Sequence, residues 1–147
     1  MALIGYTVAA DVEPFLLRWL RGKVAGVAFK LDAPSEQTTT PAQPTCYIYT
    51  QTRQQASRVT DNATIGLAYY QGASETVTQA TVAQAKIIGL LSSDAVCLAD
   101  GSPIVMPILD EVLEFTLAEL KTAAHAKPVY YAAVPFVVQR TVETVEV

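Results

Sequence analysis

Few residues of this chain have the type and spacing that enzymatic chemistry needs. The single histidine, His125, lies in a run of small residues with no nucleophile motif beside it, which is typical of a surface residue. The nearest group of carboxylates, Asp110, Glu111 and Glu114, is typical of the acidic start of a helix. The sequence contains no phosphate-binding glycine loop and no serine-nucleophile elbow. We therefore expect no catalytic site and no enzymatic activity.

The two cysteines do not indicate a metal or redox site either. Cys46 and Cys97 are far apart and fit no metal-ligand or redox spacing. Each lies in a short apolar run, so we interpret both as small buried hydrophobic side chains. The N-terminal residues lack the basic and long apolar regions of a signal peptide, which favours a reducing cytoplasm as the place of synthesis. We expect no metal and no cofactor.

The tyrosines form a more informative pattern. Three predicted strands each contribute a pair or near-pair, and these residues are Tyr47, Tyr49, Tyr69, Tyr70, Tyr130 and Tyr131. Alternation along a strand places one tyrosine of each pair outside the core, and exposed tyrosine is enriched at protein interfaces. A buried tyrosine with a satisfied hydroxyl is an equally weighted alternative.

Composition limits the class of protein. The 147 residues suffice for one domain, 51% are hydrophobic, and only 16% are charged, against about 25% in typical globular proteins. This composition excludes a disordered chain, and no apolar run approaches the roughly 20 residues of a membrane span. The low charge is compatible with a neutral monomer surface or with a surface that faces other protein. A net charge of −4 argues against a nucleic-acid footprint.

The first third of the chain predicts a helix and a strand. Apolar residues recur at helical spacing, with Asp11 as the expected N-cap and Gly22 as the expected end; they are Val12, Phe15, Leu16, Trp19 and Leu20. Alternation over residues 27–31 predicts a half-buried strand. Residues 32–44 contain three prolines and no periodicity, so we expect a long loop that is mobile in the isolated protein.

The middle third predicts two strands and a second helix. Alternation predicts strands over residues 46–51 and 65–70, with a turn at residues 60–62. Residues 51–58 between them are polar and either turn the chain or extend as an arm. After Gly72, Ser74 is the expected cap of a helix that runs to about Leu91.

The last third is less regular. Apolar runs at 95–98 and 104–106 predict a hairpin, and the ambiguous segment 110–121 slightly favours a helix. Residues 129–142 predict a long strand with Tyr131, Val137 and Gln139 on its second face, and Pro135 predicts an edge position or a bulge. The expected fold class is α/β of the α+β type, a mixed, mostly antiparallel sheet of four or more strands with two main helices packed on one face. Residues 1–147 would form one domain.

The order of these elements resembles a known family. The likeness is carried by the amphipathic segment 11–20, the strand pair containing residues 58–65, a helix beginning at Ser74, and the terminal strand 129–136 followed by Gln139-Arg140. The chain resembles the tail terminator proteins of long-tailed, siphovirus-type phages, particularly those that infect actinobacteria. The resemblance implies a hexameric ring at the tail–neck junction of the virion, assembled in the host cytoplasm, that caps the tail tube and ends its polymerisation. It also implies three kinds of protein contact: further copies of the chain, the major tail tube protein, and a head-side connector or stopper.

Two alternatives remain open, a head–tail connector or stopper protein and a small soluble ligand-binding domain. The candidate interface residues are Arg53, Gln54, Gln55, Arg58, Tyr131, Val137 and Gln139. DNA is expected to pass through the ring without specific binding, because a basic lining would hold phosphates and resist sliding. The arginines should therefore pair with carboxylates of an adjacent subunit or ring, and this expectation covers Arg18, Arg21, Arg53, Arg58 and Arg140.

Overall fold

The described part of the chain forms two β-sheets, one large and one a separate pair of strands. The computed structural model describes residues 1–31, 40–109, 113–117 and 127–147. Its elements in chain order are β1 (Leu3–Val8), α1 (Glu13–Leu20), β2 (Ala28–Leu31), β3 (Thr45–Gln55), β4 (Thr60–Tyr70), α2 (Val77–Leu91), α3 (Ala95–Leu98), β5 (Ile104–Pro107), β6 (Thr116–Leu117), β7 (Val129–Gln139) and β8 (Thr141–Glu146). None of the described helices is long and apolar enough to cross a membrane.

The large sheet has six strands in the order β2-β3-β4-β7-β5, with β6 also paired to β7. Among the strands that the structure describes in this sheet, only β2 runs parallel to its neighbour, and the other pairs are antiparallel. The long strands β3, β4 and β7 have 11 residues each and form its centre. The predicted fold class, an α+β fold with a mixed, mostly antiparallel sheet, is confirmed.

The main hydrophobic core lies on one face of this sheet. Alternate residues of β4 point into it, including Ile65, Leu67 and Tyr69, and each is fully buried. α1 and α2 cover these strands with one continuous cluster that includes Leu16 and Ile87. Burying each such side chain stabilises the fold by about 1.5–3 kcal/mol. The prediction of two helices on one face is therefore confirmed.

Both helices begin at residues other than the predicted caps. Val12, not Asp11, is the N-cap of α1, because Val12 is drawn into the core while Asp11 stays exposed. Thr76, not Ser74, caps α2: its hydroxyl accepts from the Gln79 N–H at 3.2 Å, and the Gln79 side chain accepts from the Thr76 N–H at 2.9 Å. This reciprocal capping box satisfies two backbone donors that would otherwise lack partners.

The predicted hairpin over residues 95–106 is wrong. Residues 95–98 form the short helix α3, where Val96 is buried. β5 then pairs with the distant strand β7 instead of with its sequence neighbour, and Ile104 lies opposite Val138. Of the ambiguous segment 110–121, the described residues 113–117 are not helical, since Thr116 and Leu117 pair with β7. The remaining residues of that segment, and residues 32–39 of the predicted mobile loop, lie outside the described residues.

Two further boundaries differ from the sequence prediction. Residues 60–62 are the start of β4 and not a turn, since the chain reverses at residues 56–59. The predicted strand 129–142 breaks at Arg140 into β7 and β8, which belong to different sheets. Pro135 lies on the interior strand β7 and not on an edge strand. It lies at the point where the outer neighbour of β7 changes from β5 to β6. The missing N–H of proline therefore costs no ladder hydrogen bond there.

Candidate subunit interface

The second face of the large sheet points away from α1 and α2. Register places its side chains in rows across β3, β4 and β7, for example Tyr47–Ala68–Tyr131 and Tyr49–Gly66–Ala133. We call this surface the open face and define it by Tyr47, Tyr49, Thr52, Gln54, Asn62, Thr64, Gly66, Ala68, Tyr70, Val129, Tyr131, Ala133, Pro135, Val137 and Gln139. None of these residues is charged, so the open face is an uncharged part of the sheet surface.

One end of the open face carries a cluster of tyrosines. The rings of Tyr47 and Tyr70 meet edge to face, with centroids 5.1 Å apart. Burial raises the pKa of Tyr70, and the nearby hydroxyls of Tyr131, Tyr47 and Tyr49 raise it further. Tyr131 remains 45% exposed at the rim of this cluster. A large aromatic side chain with a free surface is typical of an interface anchor.

The tyrosine pairs divide between the two faces largely as predicted. Tyr70 and Tyr131 lie on the open face, while their neighbours Tyr69 and Tyr130 pack in the core. Tyr47 and Tyr49 differ from the prediction, because residues two apart on a strand share a face. Both therefore lie on the open face.

A trough crosses the middle of the open face. Its lining combines the large side chains of Tyr49 and Tyr131 with the small side chain of Ala133. A Cβ atom on Gly66 would lie 2.3 Å from the Tyr49 ring, so that ring lies directly over the glycine backbone. The trough has a volume of about 570 Å³, and Glu114 and Thr116 line its far wall.

The other end of the open face is polar. Gln54, Asn62 and Val137 form one row, which Met106 of β5 extends. Gln54, Asn62 and Met106 are exposed, and Val137 is half-buried. Gln139 lies one row further along, opposite Thr60. The structure thus places four of the predicted site residues on one surface: Gln54, Tyr131, Val137 and Gln139.

Arg53 does not lie on that surface. A bulge between Thr50 and Thr52 sets the register so that Arg53 points to the helix-covered side of the sheet. Its Nε donates to Oδ2 of Asp61 at 2.9 Å, and its Nη1 donates to the carbonyl of Ala10 at 2.6 Å. The prediction that Arg53 pairs with a carboxylate of an adjacent subunit is therefore wrong.

Arg140 pairs with the same carboxylate. Its Nη1 donates to Oδ1 of Asp61 at 2.7 Å, so the prediction of a partner in another subunit is wrong for Arg140 as well. Burial of the Asp61 carboxyl raises its pKa, but the hydrogen bonds and charges of Arg140 and Arg53 outweigh this and leave the pKa below its ordinary value. Asp61, 1% exposed, is thus held as a buried carboxylate between two guanidinium groups.

The other predicted residues of the polar arm lie at its turn. Gln55 is exposed, and its side-chain amide donates to the carbonyl of Ser57 at 2.9 Å. The side chain of Arg58 is also exposed and, like Arg18 and Arg21, lies within 4.0 Å of no carboxylate among the described residues. Sequence reasoning missed Asp61, yet a signal was present. Asp61 lies two residues before Ala63 and four before Ile65 on the same strand. Residues at this spacing share a face, so the alternation predicts that Asp61 faces the core.

The chain ends form a second surface that sequence reasoning missed. β1 pairs with β8 along six residue pairs, from Leu3↔Glu146 to Val8↔Thr141, and we call this unit the terminal ribbon. Arg140 holds it to the large sheet, because its Nε and Nη2 donate to the Oγ1 and carbonyl of Thr7, each at 3.0 Å. The terminal ribbon exposes five large hydrophobic side chains: Leu3, Ile4, Tyr6, Val142 and Val145.

A buried carboxylate also occurs on the helix side of the sheet. Tyr69 donates its hydroxyl to Oε2 of Glu75 at 2.6 Å, and the Gly72 N–H donates to Oε1 at 3.3 Å. Both carboxylate oxygens thus have partners within the chain. Burial and the Glu75 charge raise the pKa of Tyr69. This arrangement holds the connection between β4 and α2 and is structural.

Comparison with other proteins adds no family assignment. No family model matches the chain, and no curated protein gives a match to it.

Proposed function

We propose that this protein is a structural virion protein of the tail-terminator type, which forms a hexameric ring on the end of a phage tail tube. The ring ends tube polymerisation and presents its other side to the head-side connector. The proposal is supported by the resemblance in element order and size, and by one structural observation, the uncharged open face. It assigns the protein no enzymatic role.

The open face is the observation that carries this proposal. Its central strands have 11 residues each, which at about 3.3 Å per residue and about 4.8 Å between strands gives roughly 36 by 14 Å, or about 500 Å² in projection. A standard protein interface buries about 800 Å² of accessible surface per partner, and accessible surface exceeds projected area. Its tyrosine end is already packed within the chain, since Ala68, Tyr70 and Val129 are at most 6% exposed, so the open face can supply part of a stable contact between two copies.

The charge of the chain is compatible with passage of DNA through such a ring. Each copy carries a net charge of −4. Two of its arginines, Arg53 and Arg140, are used within the chain to hold Asp61 and are not available to hold phosphates. A ring of such copies would let DNA slide, because few of its cations are free to displace counterions from the DNA phosphates.

The first experiment measures assembly. Native mass spectrometry of the purified protein should show a closed oligomer, and Tyr131→Glu or Val137→Glu should convert it to a folded monomer, because a buried unpaired carboxylate is strongly unfavourable in an interface. The matched control is Val82→Glu, which places the same charge on an exposed position of α2, away from the open face. Circular dichroism checks that each variant is folded. A monomeric wild type, or full oligomer mass in both open-face variants, would contradict the proposal.

The second experiment tests the role in the tail. Purified rings are added to growing tail tubes and examined by negative-stain electron microscopy. We expect one ring at a tube end and an arrest of growth. Rings that bind only a head-side connector, with no effect on tube length, would instead identify a connector or stopper protein.

A further inference from the structure

The terminal ribbon is held firmly but covered on neither side by the elements described here. All twelve of its residues are exposed or half-buried. A ribbon of only two strands is marginally stable in water unless another layer packs on it. Its hydrophobic side chains therefore indicate a surface that is completed by another molecule.

Arg140 fixes the position of the terminal ribbon relative to the large sheet. It bonds Thr7 at two atoms and Asp61 at a third, and the Thr7 hydroxyl donates to the carbonyl of Arg58 at 2.6 Å. The base of the ribbon is thus fixed to the β3–β4 turn and to the start of β4. A surface held in this way loses less conformational entropy on binding than a free tail would.

One face of the ribbon is better suited to packing than the other. Register places Ile4, Tyr6 and Val145 on the same side, and we call this side the docking face. The hydroxyl of Tyr6 donates to the carboxylate of Glu143, the one charged residue on that side, at 3.3 Å. The opposite side has Leu3 and Val142 separated by Gly5 and carries Glu146. The docking face is therefore the more continuous apolar surface.

We propose that the docking face of one copy packs on the open face of a second copy, as one sheet layer on another. This inference rests on the proposed ring and names the contact that builds it. Strands of six residues span about 20 Å, which fits within the roughly 36 Å length of the open face. Sheets pack face to face about 10 Å apart, with apolar and aromatic side chains interdigitating.

The charges of the two surfaces suit this contact. The fifteen residues that define the open face are uncharged, and the two charges beside them are Glu114 on the wall of the trough and Lys30 at the border. The exposed Lys30 of β2 lies beside Tyr47 at its border and is available to the single carboxylate of the docking face, Glu143.

The basic end of α1 on a second copy is the alternative surface to which the ribbon could bind. Arg18, Arg21 and Lys23 are exposed there, and they would attract the ribbon carboxylates. Covering them with Ile4, Tyr6 and Val145 would remove three cations from water with one carboxylate on that face to pair them, which is costly. The open face is therefore the better receptor.

The proposed contact also accounts for a ring. The ribbon and the open face are different surfaces of the same chain, so each copy donates one and receives with the other. Such heterologous contacts propagate from copy to copy and close into a ring when the rotation allows it.

Cross-linking between introduced cysteines tests the contact directly. The background is Cys97→Ser, because Cys46 is fully buried. In this background, Ile4→Cys is combined with Tyr131→Cys or with Val137→Cys, and a short bismaleimide is added to the assembled protein. We expect a ladder of covalent oligomers up to the ring in at least one pair. The matched control joins Ile4→Cys with Arg21→Cys, which directly follows α1, and there we expect no ladder.

The outcomes separate this inference from the proposed function. A ladder from the α1 pair alone, dimers from Ile4→Cys alone, or no ladder while native mass spectrometry still shows a ring would overturn the contact and leave the ring proposal standing. A wild type that is monomeric would overturn both. A second variant, Ile4→Glu with Tyr6→Glu, should abolish the ring mass without lowering the melting temperature of the monomer, and retention of the ring would also overturn the contact.

Discussion

Nη1 of Arg140 lies 2.7 Å from Oδ1 of Asp61, and this contact joins the terminal ribbon to the large sheet. The opposite oxygen of Asp61 receives Nε of Arg53 at 2.9 Å. One buried carboxylate thus connects β3, β4 and the residue between β7 and β8. Its loss would leave two guanidinium groups facing each other without a counter-charge.

We therefore expect Asp61→Asn to be strongly destabilising. Removing one partner of a buried ion pair costs about 3–5 kcal/mol of unfolding free energy, and the partial exposure of both arginines favours the lower end. Urea unfolding followed by circular dichroism measures the change. Asp100→Asn removes the same charge at an exposed turn and should change stability by less than about 0.5 kcal/mol. Equal effects of the two substitutions would show that the Asp61 contacts contribute little.

The same carboxylate predicts a dependence of stability on pH. Because the pKa of Asp61 is lower in the folded chain than in the unfolded one, its contribution is fully present above the ordinary value of 3.8 and is lost as the pH falls through the folded pKa. Unfolding free energy should therefore decrease between about pH 5 and the folded pKa of Asp61. Asp61→Asn should show a shallower decrease over that range. A parallel decrease in both proteins would assign the acid sensitivity to other carboxylates.

Gly66 predicts a steric effect beneath Tyr49. Gly66→Ala would place a methyl group 2.3 Å from the Tyr49 ring, and such overpacking costs about 1–3 kcal/mol. The matched control is Gly89→Ala in α2, where a Cβ meets nothing within 4 Å and helix propensity should stabilise the protein by about 0.5–1 kcal/mol. The melting temperatures of the two variants should shift in opposite directions, down for Gly66→Ala and up for Gly89→Ala. A stabilising Gly66→Ala would show that the Tyr49 ring moves aside easily.

The cap of α2 gives a further comparison of two neighbouring residues. Thr76→Ala removes the acceptor for the Gln79 N–H and should lower the unfolding free energy by about 1 kcal/mol. Ser74→Ala, at the position that the sequence favoured, should change it by less than about 0.5 kcal/mol. Denaturant midpoints of the two variants measure the difference. The reverse order would place the start of α2 at Ser74.

Local patterns predicted much of the fold. The period of 3.6 over Phe15, Leu16 and Leu20 predicted α1, and alternation over Ile65, Leu67 and Tyr69 predicted most of β4; both signals depend on residues a few positions apart. The hairpin at residues 95–106 was wrong because β5 pairs with β7, whose partner residues lie 29 to 34 positions later in the chain. Such a pairing leaves no mark in the local pattern of either strand.

The sequence by itself determined which side chains of β7 face away from the core, because successive residues of any strand point to opposite faces. Tyr131 and Val137 could be placed in this way before the fold was known. Only the tertiary structure decided the partners of Arg140, since Asp61 lies 79 residues away and Thr7 lies 133 residues away. It also decided that the two ends of the chain pair as the terminal ribbon, because the strand register that joins Leu3 to Glu146 depends on how the intervening chain folds.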